Sequence, residues 1–195
     1  MESLECIYRS LYDYLCEVIS RVPAGSGGVV FAPWLHGNRC PFEDANAKAS
    51  FFNIGLETGK SELIRSVVEG IAFHCRLMME AHQHKLPVSG TIWVCGGITN
   101  APVICQILAD ILEHEIGVFP NPQNAGALGA AVLMATAMDK IPPAAGAKLM
   151  LPEPAIYKPD PEKKEDYAKN YRVFTKLYKR NKPLFSILNR LASGH

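Results

Sequence analysis

The sequence predicts a layered α/β domain, and two observations support that prediction. Strand-like and helix-like segments alternate from residue 91 to residue 138, which is typical of a sheet flanked by helices. The chain has 195 residues and is 48% hydrophobic, so it is large and apolar enough to build a substantial core. A chain of this size buries roughly 70% of its extended surface. We therefore expect one α/β domain or one large lobe.

The expected elements in the first half of the chain are a helix over residues 2–22, a strand over 29–35, a loop over 36–49, a strand over 51–54 and a helix over 60–84. The first helix has apolar residues at helical spacing and ends before Pro23, because proline does not continue a helix. Pro33 indicates that the first strand lies at a sheet edge or ends there. Gly70 lies beside the apolar stripe of the long helix. Since glycine costs roughly 1 kcal/mol relative to alanine in a helix, we expect Gly70 to permit close packing against a neighbour.

The second half is expected to contain a strand over residues 91–95, a helix over 101–114, a strand over 116–119 and a helix over 125–138. Several prolines from residue 142 onward predict an extended connector, which leads to a helix with an aromatic stripe. Such a stripe is typical of contact with a core, so we expect this helix to pack on the domain. The predicted organisation is a lobe over residues 1–140, followed by a connector and C-terminal helix over 141–195.

Composition excludes several classes of function. The formal net charge is +1 and the basic residues are scattered, so we expect no nucleic-acid partner. No signal peptide or bilayer-spanning apolar run is visible, which predicts a cytoplasmic protein without a membrane partner. The six cysteines form no CxxC pair and lie mostly in apolar segments, so we expect buried, reduced thiols. No cysteine or histidine spacing predicts a metal site.

The most informative segment runs from Val94 to Asn100 and reads VCGGITN. An apolar strand ends here in Gly96 and Gly97, and a helical pattern begins shortly afterwards. Residues without Cβ let main chain approach a flat or anionic ligand, and free N–H groups at a helix start favour negative charge. Asn100 suits the N-cap of that helix, and Pro102 suits its first turn. A tight turn needs glycine even without a ligand, so the residues alone leave a structural role open as well.

Four motifs occur in the same order as in the FGGY carbohydrate kinases, a family that includes xylulokinase, gluconokinase and glycerol kinase. Residues 31–41 (FAPWLHGNRCP) resemble the LPYLxGERTP loop of that family. Residues 52–56 and 68–73 resemble its FxGL and LEGxAF segments. Residues 95–112 resemble its adenosine motif, GGGxxNxxxxQILADxL, and residues 122–131 resemble NEEAGALGAA. Among subfamilies, the sequence is most similar to xylulokinase-type members.

The resemblance implies a ribonuclease-H-like fold of the actin and sugar-kinase ATPase type, with a mixed sheet flanked by helices. In such kinases two lobes close on ATP and the sugar, and this chain resembles the second lobe without its N-terminal hairpin. The family's catalytic aspartate lies in that hairpin, and its DxGT phosphate motif lies in the first lobe. Neither motif is visible in this sequence. The resemblance therefore implies no catalytic residue in this chain and an N-terminal kinase lobe as its partner.

By the same resemblance, the nucleotide-binding residues are Gly59, Gly96, Gly97 and Asn100. Gly96 and Gly97 would lie beside the ribose and α-phosphate, and Asn100 would contact the nucleoside. Gly59 would supply a main-chain N–H near the nucleotide. The implied ligands are ATP, Mg2+ held mainly through the phosphates, and a ketose or polyol substrate. A homodimer is one assembly that the sequence leaves open, because it does not determine the oligomeric state. One departure is Asn124, which stands where relatives often carry glutamate and so removes one negative charge.

Two interpretations of function remain open. The chain is either the ATP-binding lobe of a ketose kinase, or a non-catalytic binding or regulatory module or truncated fragment without activity of its own. The missing aspartate motivates the second interpretation. A dinucleotide-binding dehydrogenase is less favoured, because the glycines do not form GxGxxG and no acidic residue ends a strand about 20 residues later.

Overall fold

The computed structural model describes residues 11–83, 89–138, 142 and 153–189. The α-helices are α1 (Leu11–Arg21), α2 (Lys60–Gln83), α3 (Pro102–Leu112), α4 (Ala125–Ala137) and α5 (Lys164–Asn189), and the strands are β1 (Val30–Ala32), β2 (Ser50–Phe52), β3 (Ile92–Trp93), β4 (Ile116–Val118) and β5 (Ala155–Tyr157). Short 3-10 turns lie at Ser26–Gly28, Gly97–Asn100, Pro122–Asn124 and Pro161–Lys163. All helices and strands expected from the sequence are present within the described residues, and the expected start of the first helix lies outside them. No helix in the described ranges is both long and apolar enough to cross a membrane.

The strands form two small sheets. β1 and β2 pair antiparallel, with Phe31 opposite Phe51. In the second sheet β4 lies in the middle: β3 runs parallel to it with Ile92 opposite Ile116, and β5 runs antiparallel with Tyr157 opposite Ile116. Parallel neighbours need a crossover connection, and α3 supplies it. The predicted α/β fold with a mixed sheet is therefore confirmed.

β5 lies in the connector and is not predicted from the sequence. Its three residues are flanked by Pro154 and by Pro159, so the local pattern indicates only extended chain. The strand forms because β4 offers unpaired main-chain groups on one side, and its register places Ala155 opposite Val118. Such a contact between distant positions leaves no local signal. The division of the chain at residue 140 stays a prediction.

The main core lies between α2, α3, β1 and α5. Trp34, Phe73 and Phe174 are each at most 2% exposed. The ring centroids of Trp34 and Phe174 lie 5.9 Å apart, and those of Phe73 and Phe174 lie 5.7 Å apart. Tyr171 and Tyr167, one and two turns before Phe174, are buried as well. The aromatic stripe of α5 therefore contributes directly to this core, since aromatic side chains bury the most apolar surface.

Gly70 on α2 lies directly against β1. A Cβ atom built on Gly70 would lie 2.2 Å from the carbonyl oxygen of Phe31. Real Cβ atoms essentially never approach within 3.0 Å of another heavy atom, so a side chain here would push α2 away from the strand. The expectation that Gly70 permits close packing is confirmed, and the neighbour is β1.

A buried ion pair joins α2 to its neighbours. Arg65 Nε donates to Glu69 Oε1 at 2.7 Å, and the two side chains are only 6% and 1% exposed. The same guanidinium donates to the carbonyl oxygen of Ile19 at 2.8 Å and to the hydroxyl of Tyr167 at 2.7 Å. One side chain therefore connects α1, α2 and α5. Buried charges are tolerated only when they are paired and hydrogen-bonded in this way.

Glu69 extends this network into the turn after α1. Its Oε2 accepts from the Ser26 hydroxyl at 2.8 Å, and its Oε1 accepts from the Gly25 N–H at 3.1 Å. Asn170 of α5 donates to the Gly25 carbonyl oxygen at 2.7 Å. Burial raises the pKa of Glu69 above its ordinary value, while the ion pair with Arg65 opposes that rise. The carboxyl group thus joins α2 to the turn after α1, and Asn170 joins that turn to α5.

The expectation that the cysteines are mostly buried is wrong for the described residues. Among them only Cys105 is buried, and its burial raises the pKa of the thiol to about 11. Cys16, Cys40 and Cys75 are partly exposed, and Cys95 is exposed. Apolar neighbours in sequence do not ensure burial, because Cys95 follows β3 in a turn at the surface. The five cysteines within the described ranges all carry free thiols.

Candidate functional site

The glycine turn and the loop after β4 lie at the same end of the second sheet. Because β3 and β4 are parallel, their carboxyl ends point to the same edge. The turn after β3 contains Gly96 and Gly97, and the loop over 119–124 leads from β4 into α4. The Gly96 N–H donates to the carbonyl oxygen of Pro122 at 3.1 Å and so joins the two segments. In open α/β sheets, ligands bind beyond the carboxyl ends of parallel strands.

The glycine turn is held in a fixed shape with bare main chain. Gly96 adopts φ 111° and ψ 163°, a conformation that favours glycine. Its carbonyl oxygen accepts from the Thr99 N–H at 3.1 Å and from the Thr99 hydroxyl at 2.7 Å. The thiol of Cys105 donates to the Thr99 carbonyl oxygen at 3.4 Å. A Cβ on either Gly96 or Gly97 would meet no atom within 4 Å, so a ligand can approach this main chain.

The structure corrects the expected role of Asn100 at the start of α3. Asn100 is exposed and ends the 3-10 turn, whereas Ala101 is the N-cap and makes no side-chain cap. Pro102 occupies the first turn, as predicted. The inserted 3-10 turn moves the helix start by one residue. The preference of asparagine for N-cap positions cannot reveal this shift, because such a preference does not determine at which residue the helix begins.

A cavity of about 940 Å³ opens beside this turn, between the carboxyl ends of β3 and β4 and helix α4. Its walls are mainly apolar and include Val94, Phe119 and Leu128. The volume falls within the range of roughly 300–1,000 Å³ that is typical of small-molecule and cofactor sites. An apolar cavity of this size can accommodate a flat ring.

The residues predicted around the glycine turn lie next to this cavity. Gly96, Gly97 and Asn100 do not line it, but Gly96 directly follows Cys95, which does. A ligand with an apolar ring in the cavity would therefore place its polar remainder near the turn. The assignment of these residues to nucleotide binding stays a prediction.

Gly59 precedes α2, and its N–H is already engaged. It donates to Glu62 Oε2 at 3.0 Å, and a Cβ on Gly59 would lie 2.8 Å from the same oxygen. Gly59 does not line the cavity. An anionic ligand could use this N–H only after the Glu62 carboxylate had moved away, because the two would repel each other.

Comparison with known families decides where this chain belongs. Residues 14–138, well over half of the sequence, match the C-terminal domain of the FGGY family of carbohydrate kinases. The chain belongs to this family. The match includes the glycine turn, the cavity and α4, and it confirms the family that the motifs indicated.

Named relatives of the FGGY domain are sugar kinases of greater length. Ribulokinase 2 of Staphylococcus saprophyticus is 29% identical over 180 residues, which cover 92% of this chain and 32% of the relative. Gluconokinase of Bacillus subtilis is 31% identical over 182 residues, which cover 92% of this chain and 33% of the relative. The chain thus spans about a third of the length of these relatives.

A solved structure confirms the fold of the FGGY domain. The ligand-bound xylulose kinase from Lactobacillus acidophilus superposes with a TM-score of 0.79 at 24% sequence identity. The superposition covers 89% of this chain and 35% of that protein. The sugar-kinase fold implied by the motifs is therefore confirmed.

Some residues around the cavity are not indicated by the sequence of the FGGY domain. The small residues over 125–131 form a glycine-bearing segment in the sequence, whereas Phe119 and Asn121 in the loop after β4 belong to no motif. The signal that could have identified them is the parallel pairing of the two strands. A loop that follows one parallel strand lies beside the loop that follows its neighbour.

The described part of the FGGY domain offers no metal centre of its own. Within those residues, no group of three or more His, Cys, Asp or Glu side chains is placed to hold a metal ion. Magnesium prefers oxygen ligands and usually keeps several waters while binding substrate phosphates. The described side chains therefore do not fit a dedicated magnesium site.

Proposed function

We propose that this domain is the nucleotide-binding lobe of an ATP-dependent carbohydrate kinase, with ATP at the glycine turn between β3 and α3. The supporting observation is the position of this bare turn beside a large apolar cavity at the carboxyl ends of two parallel strands. Apolar walls suit a flat base, and main-chain N–H groups suit ribose and phosphate oxygens. The proposed reaction transfers the γ-phosphoryl group of ATP to a sugar hydroxyl.

The proposed work of this lobe is positioning. Phosphoryl transfer needs little covalent chemistry from the protein, and it depends on aligned phosphates whose charge is neutralised by magnesium. Gly96 and Gly97 would lie beside the ribose and α-phosphate, and Asn100 would contact the nucleoside. The Gly97 N–H makes no hydrogen bond within the described residues, so it is available to a phosphate or ribose oxygen. Gly59 would contribute its N–H once Glu62 turns away.

The proposed partner of this lobe is the N-terminal lobe of the kinase. The chain spans about a third of the length of its relatives, and the catalytic aspartate motif is not found in it. Helix α4 is apolar, yet none of its residues is buried within the described chain, and Met134, which does not line the cavity, is 65% exposed. A continuous exposed apolar surface of this kind usually marks an interface. We therefore assign α4 to the contact between the lobes.

The proposed sugar is a ketose of the xylulose type. This choice rests on the motif resemblance to xylulokinase-type members. The two sequence relatives reported above are named ribulokinase and gluconokinase, and the xylulose kinase structure, at 24% identity, supports the fold alone. Contacts to the sugar would come mainly from the other lobe and the cleft. The proposed compartment is the cytoplasm, and a homodimer stays a prediction.

Replacing Gly97 by phenylalanine is expected to weaken ATP binding to the purified chain by at least about tenfold, which corresponds to about 1.4 kcal/mol. The new side chain would extend into the open space above the turn and block close approach of the nucleotide. Isothermal titration calorimetry with a non-hydrolysable ATP analogue measures the change.

The matched control for this variant is Gly55→Phe. A Cβ on Gly55 also meets no atom within 4 Å, and Gly55 is not among the residues assigned to the nucleotide. ATP affinity should stay unchanged in the control. Equal affinities in the wild type and in Gly97→Phe would remove the glycine turn from the proposed site.

The purified chain, mixed with ATP, magnesium and D-xylulose, is expected to show no sugar phosphorylation above background. General acid–base assistance contributes roughly 10²- to 10⁴-fold, and loss of sugar positioning costs more still. A coupled assay of ADP release measures the rate. Turnover of roughly 1–100 s⁻¹, typical of kinases, would contradict the assignment as a lobe that depends on a partner.

The second proposed function, a non-catalytic binding or regulatory module, is supported by the catalytic aspartate motif that is not found in this sequence. The binding and turnover experiments together separate the two proposals. ATP binding without turnover supports the kinase lobe. A chain that shows no ATP binding and no turnover would support the non-catalytic module.

A further inference from the structure

The peptide unit between Gly96 and Gly97 can turn over more easily than most peptide units. Turning it over rotates ψ of the first residue and φ of the second, and neither residue has a Cβ that would obstruct the rotation. The unit is planar and trans, so its carbonyl oxygen and its N–H point in opposite directions. A contact that fixes the Gly96 carbonyl oxygen therefore also fixes the direction of the Gly97 N–H.

Thr99 holds this carbonyl oxygen with two donors. Its main-chain N–H donates to the Gly96 oxygen at 3.1 Å, and its hydroxyl donates to the same oxygen at 2.7 Å. Any residue except proline can make the first bond, whereas the second needs a hydroxyl side chain. Thr99 is itself well held, because it is only 4% exposed and its own carbonyl oxygen accepts from the buried thiol of Cys105 at 3.4 Å.

The Gly97 N–H points away from Thr99, since it lies on the opposite side of the same peptide unit. It has no hydrogen-bond partner within the described residues, and a Cβ on Gly97 would meet no atom within 4 Å. If the unit turned over, the carbonyl oxygen would replace the N–H on this open side. A carbonyl oxygen accepts hydrogen bonds and donates none, so it would repel a phosphate oxygen that the N–H can bind.

We propose that the hydroxyl of Thr99 is a positioning group for the nucleotide: it prevents the Gly96–Gly97 peptide unit from turning over, so that the Gly97 N–H faces a phosphate oxygen. The proposal rests on the proposed nucleotide-binding function and adds the residue that orients its main-chain donor. Thr99 is buried and does not line the cavity. It therefore acts through the main chain and not by contact with the ligand.

The test is the substitution Thr99→Val in the full 195-residue chain, which removes the hydroxyl and leaves a side chain of similar size. A non-hydrolysable ATP analogue should bind to the variant about three- to tenfold more weakly, the range expected for the loss of one hydrogen bond. Calorimetry measures the affinity, and circular dichroism shows whether the variant is folded. Unchanged affinity in a folded Thr99→Val variant overturns the proposal.

Two further variants separate the role of this hydroxyl from a general effect on the fold. Thr99→Ser keeps the hydroxyl and should bind the analogue as the wild type does. Thr175→Val in α5 removes a hydroxyl that also donates to the carbonyl oxygen three residues earlier, that of Arg172, and it should leave the affinity unchanged. The proposal is wrong if Thr99→Ser binds as weakly as Thr99→Val, or if Thr175→Val weakens binding to the same extent.

An NMR measurement on the unchanged chain tests the proposal even if Thr99→Val does not fold. The amide proton of Gly97 should shift downfield when the ATP analogue is added, because it gains a hydrogen bond to a phosphate oxygen. Adenosine, which has no phosphate, should leave this signal in place. A Gly97 signal that does not respond to the analogue, or responds equally to adenosine, overturns the proposal.

The same experiments distinguish failure of this proposal from failure of the proposed function. Weaker binding in Gly97→Phe with unchanged binding in Thr99→Val overturns the role of the Thr99 hydroxyl and leaves the nucleotide site intact. No binding of the analogue to the wild type overturns both.

Discussion

Replacing Gly70 by alanine is expected to lower the free energy of unfolding by about 2–3 kcal/mol, at the upper end of the usual cost of overpacking a core. The added methyl group would lie 2.2 Å from the Phe31 carbonyl oxygen, which belongs to the main chain of β1. A strand cannot turn away as the tip of a side chain can, so α2 and β1 must separate. Alanine favours the helix by about 1 kcal/mol over glycine, and the clash outweighs this gain.

Urea denaturation followed by circular dichroism measures the effect of Gly70→Ala. The matched control is Gly129→Ala within α4, where a Cβ meets no atom within 4 Å. The same substitution should there be neutral or stabilise by up to about 1 kcal/mol, because only helix propensity changes. If Gly70→Ala were as stable as the wild type, the close contact of α2 with β1 would not exist in solution.

Replacing Arg65 by methionine is expected to cost about 3–5 kcal/mol, because removing one partner of a buried pair leaves the other charge uncompensated. Glu69, 1% exposed at its side chain, would keep only the Ser26 hydroxyl and the Gly25 N–H as donors. The hydroxyl of Tyr167 and the carbonyl oxygen of Ile19 would lose the guanidinium as well. Urea denaturation at pH 7 gives the cost.

A double-mutant cycle with Glu69→Met isolates the coupling between the two charges. Apolar pairs often replace buried ion pairs at little net cost, so the double variant should be more stable than Arg65→Met alone. Additive losses would mean that the two side chains do not act as a pair.

The cost of Arg65→Met should also depend on pH. Burial raises the pKa of folded Glu69 above the ordinary 4.5, and the attraction of Arg65 limits this rise. Without Arg65 the folded pKa rises further, so the folded state holds a proton that the unfolded chain has released. The stability of the variant is then greatest below pH 4.5 and declines as pH rises through the folded pKa. Its difference from the wild type should therefore be largest at neutral pH and smallest in acid, and a pH-independent difference would contradict the assignment to Glu69.

The glycine turn shows which features of the candidate site the local sequence predicts and which it does not. The pattern of Thr91 to Val94 followed by two glycines predicts a strand and a turn, and both are present. It does not predict that Ala101, in place of Asn100, caps α3, because an intervening 3-10 turn changes the path of the chain. Nor does it predict that the Gly59 N–H donates a hydrogen bond to the Glu62 carboxylate, since the residue types alone do not indicate this pairing.

The sequence by itself determined the order of the helices and of every strand except β5, the family, and the position of the glycine turn, because these depend on residue spacing and on motifs within short segments. Only the tertiary structure decided that β5 joins β4, that Gly70 meets Phe31, and that Arg65 and Glu69 connect three elements. The cavity between β3, β4 and α4, with Asn124 at its border, is likewise visible only in the tertiary structure. Each of these contacts joins positions far apart along the chain, and their energy depends on distances that exist only after the elements have packed.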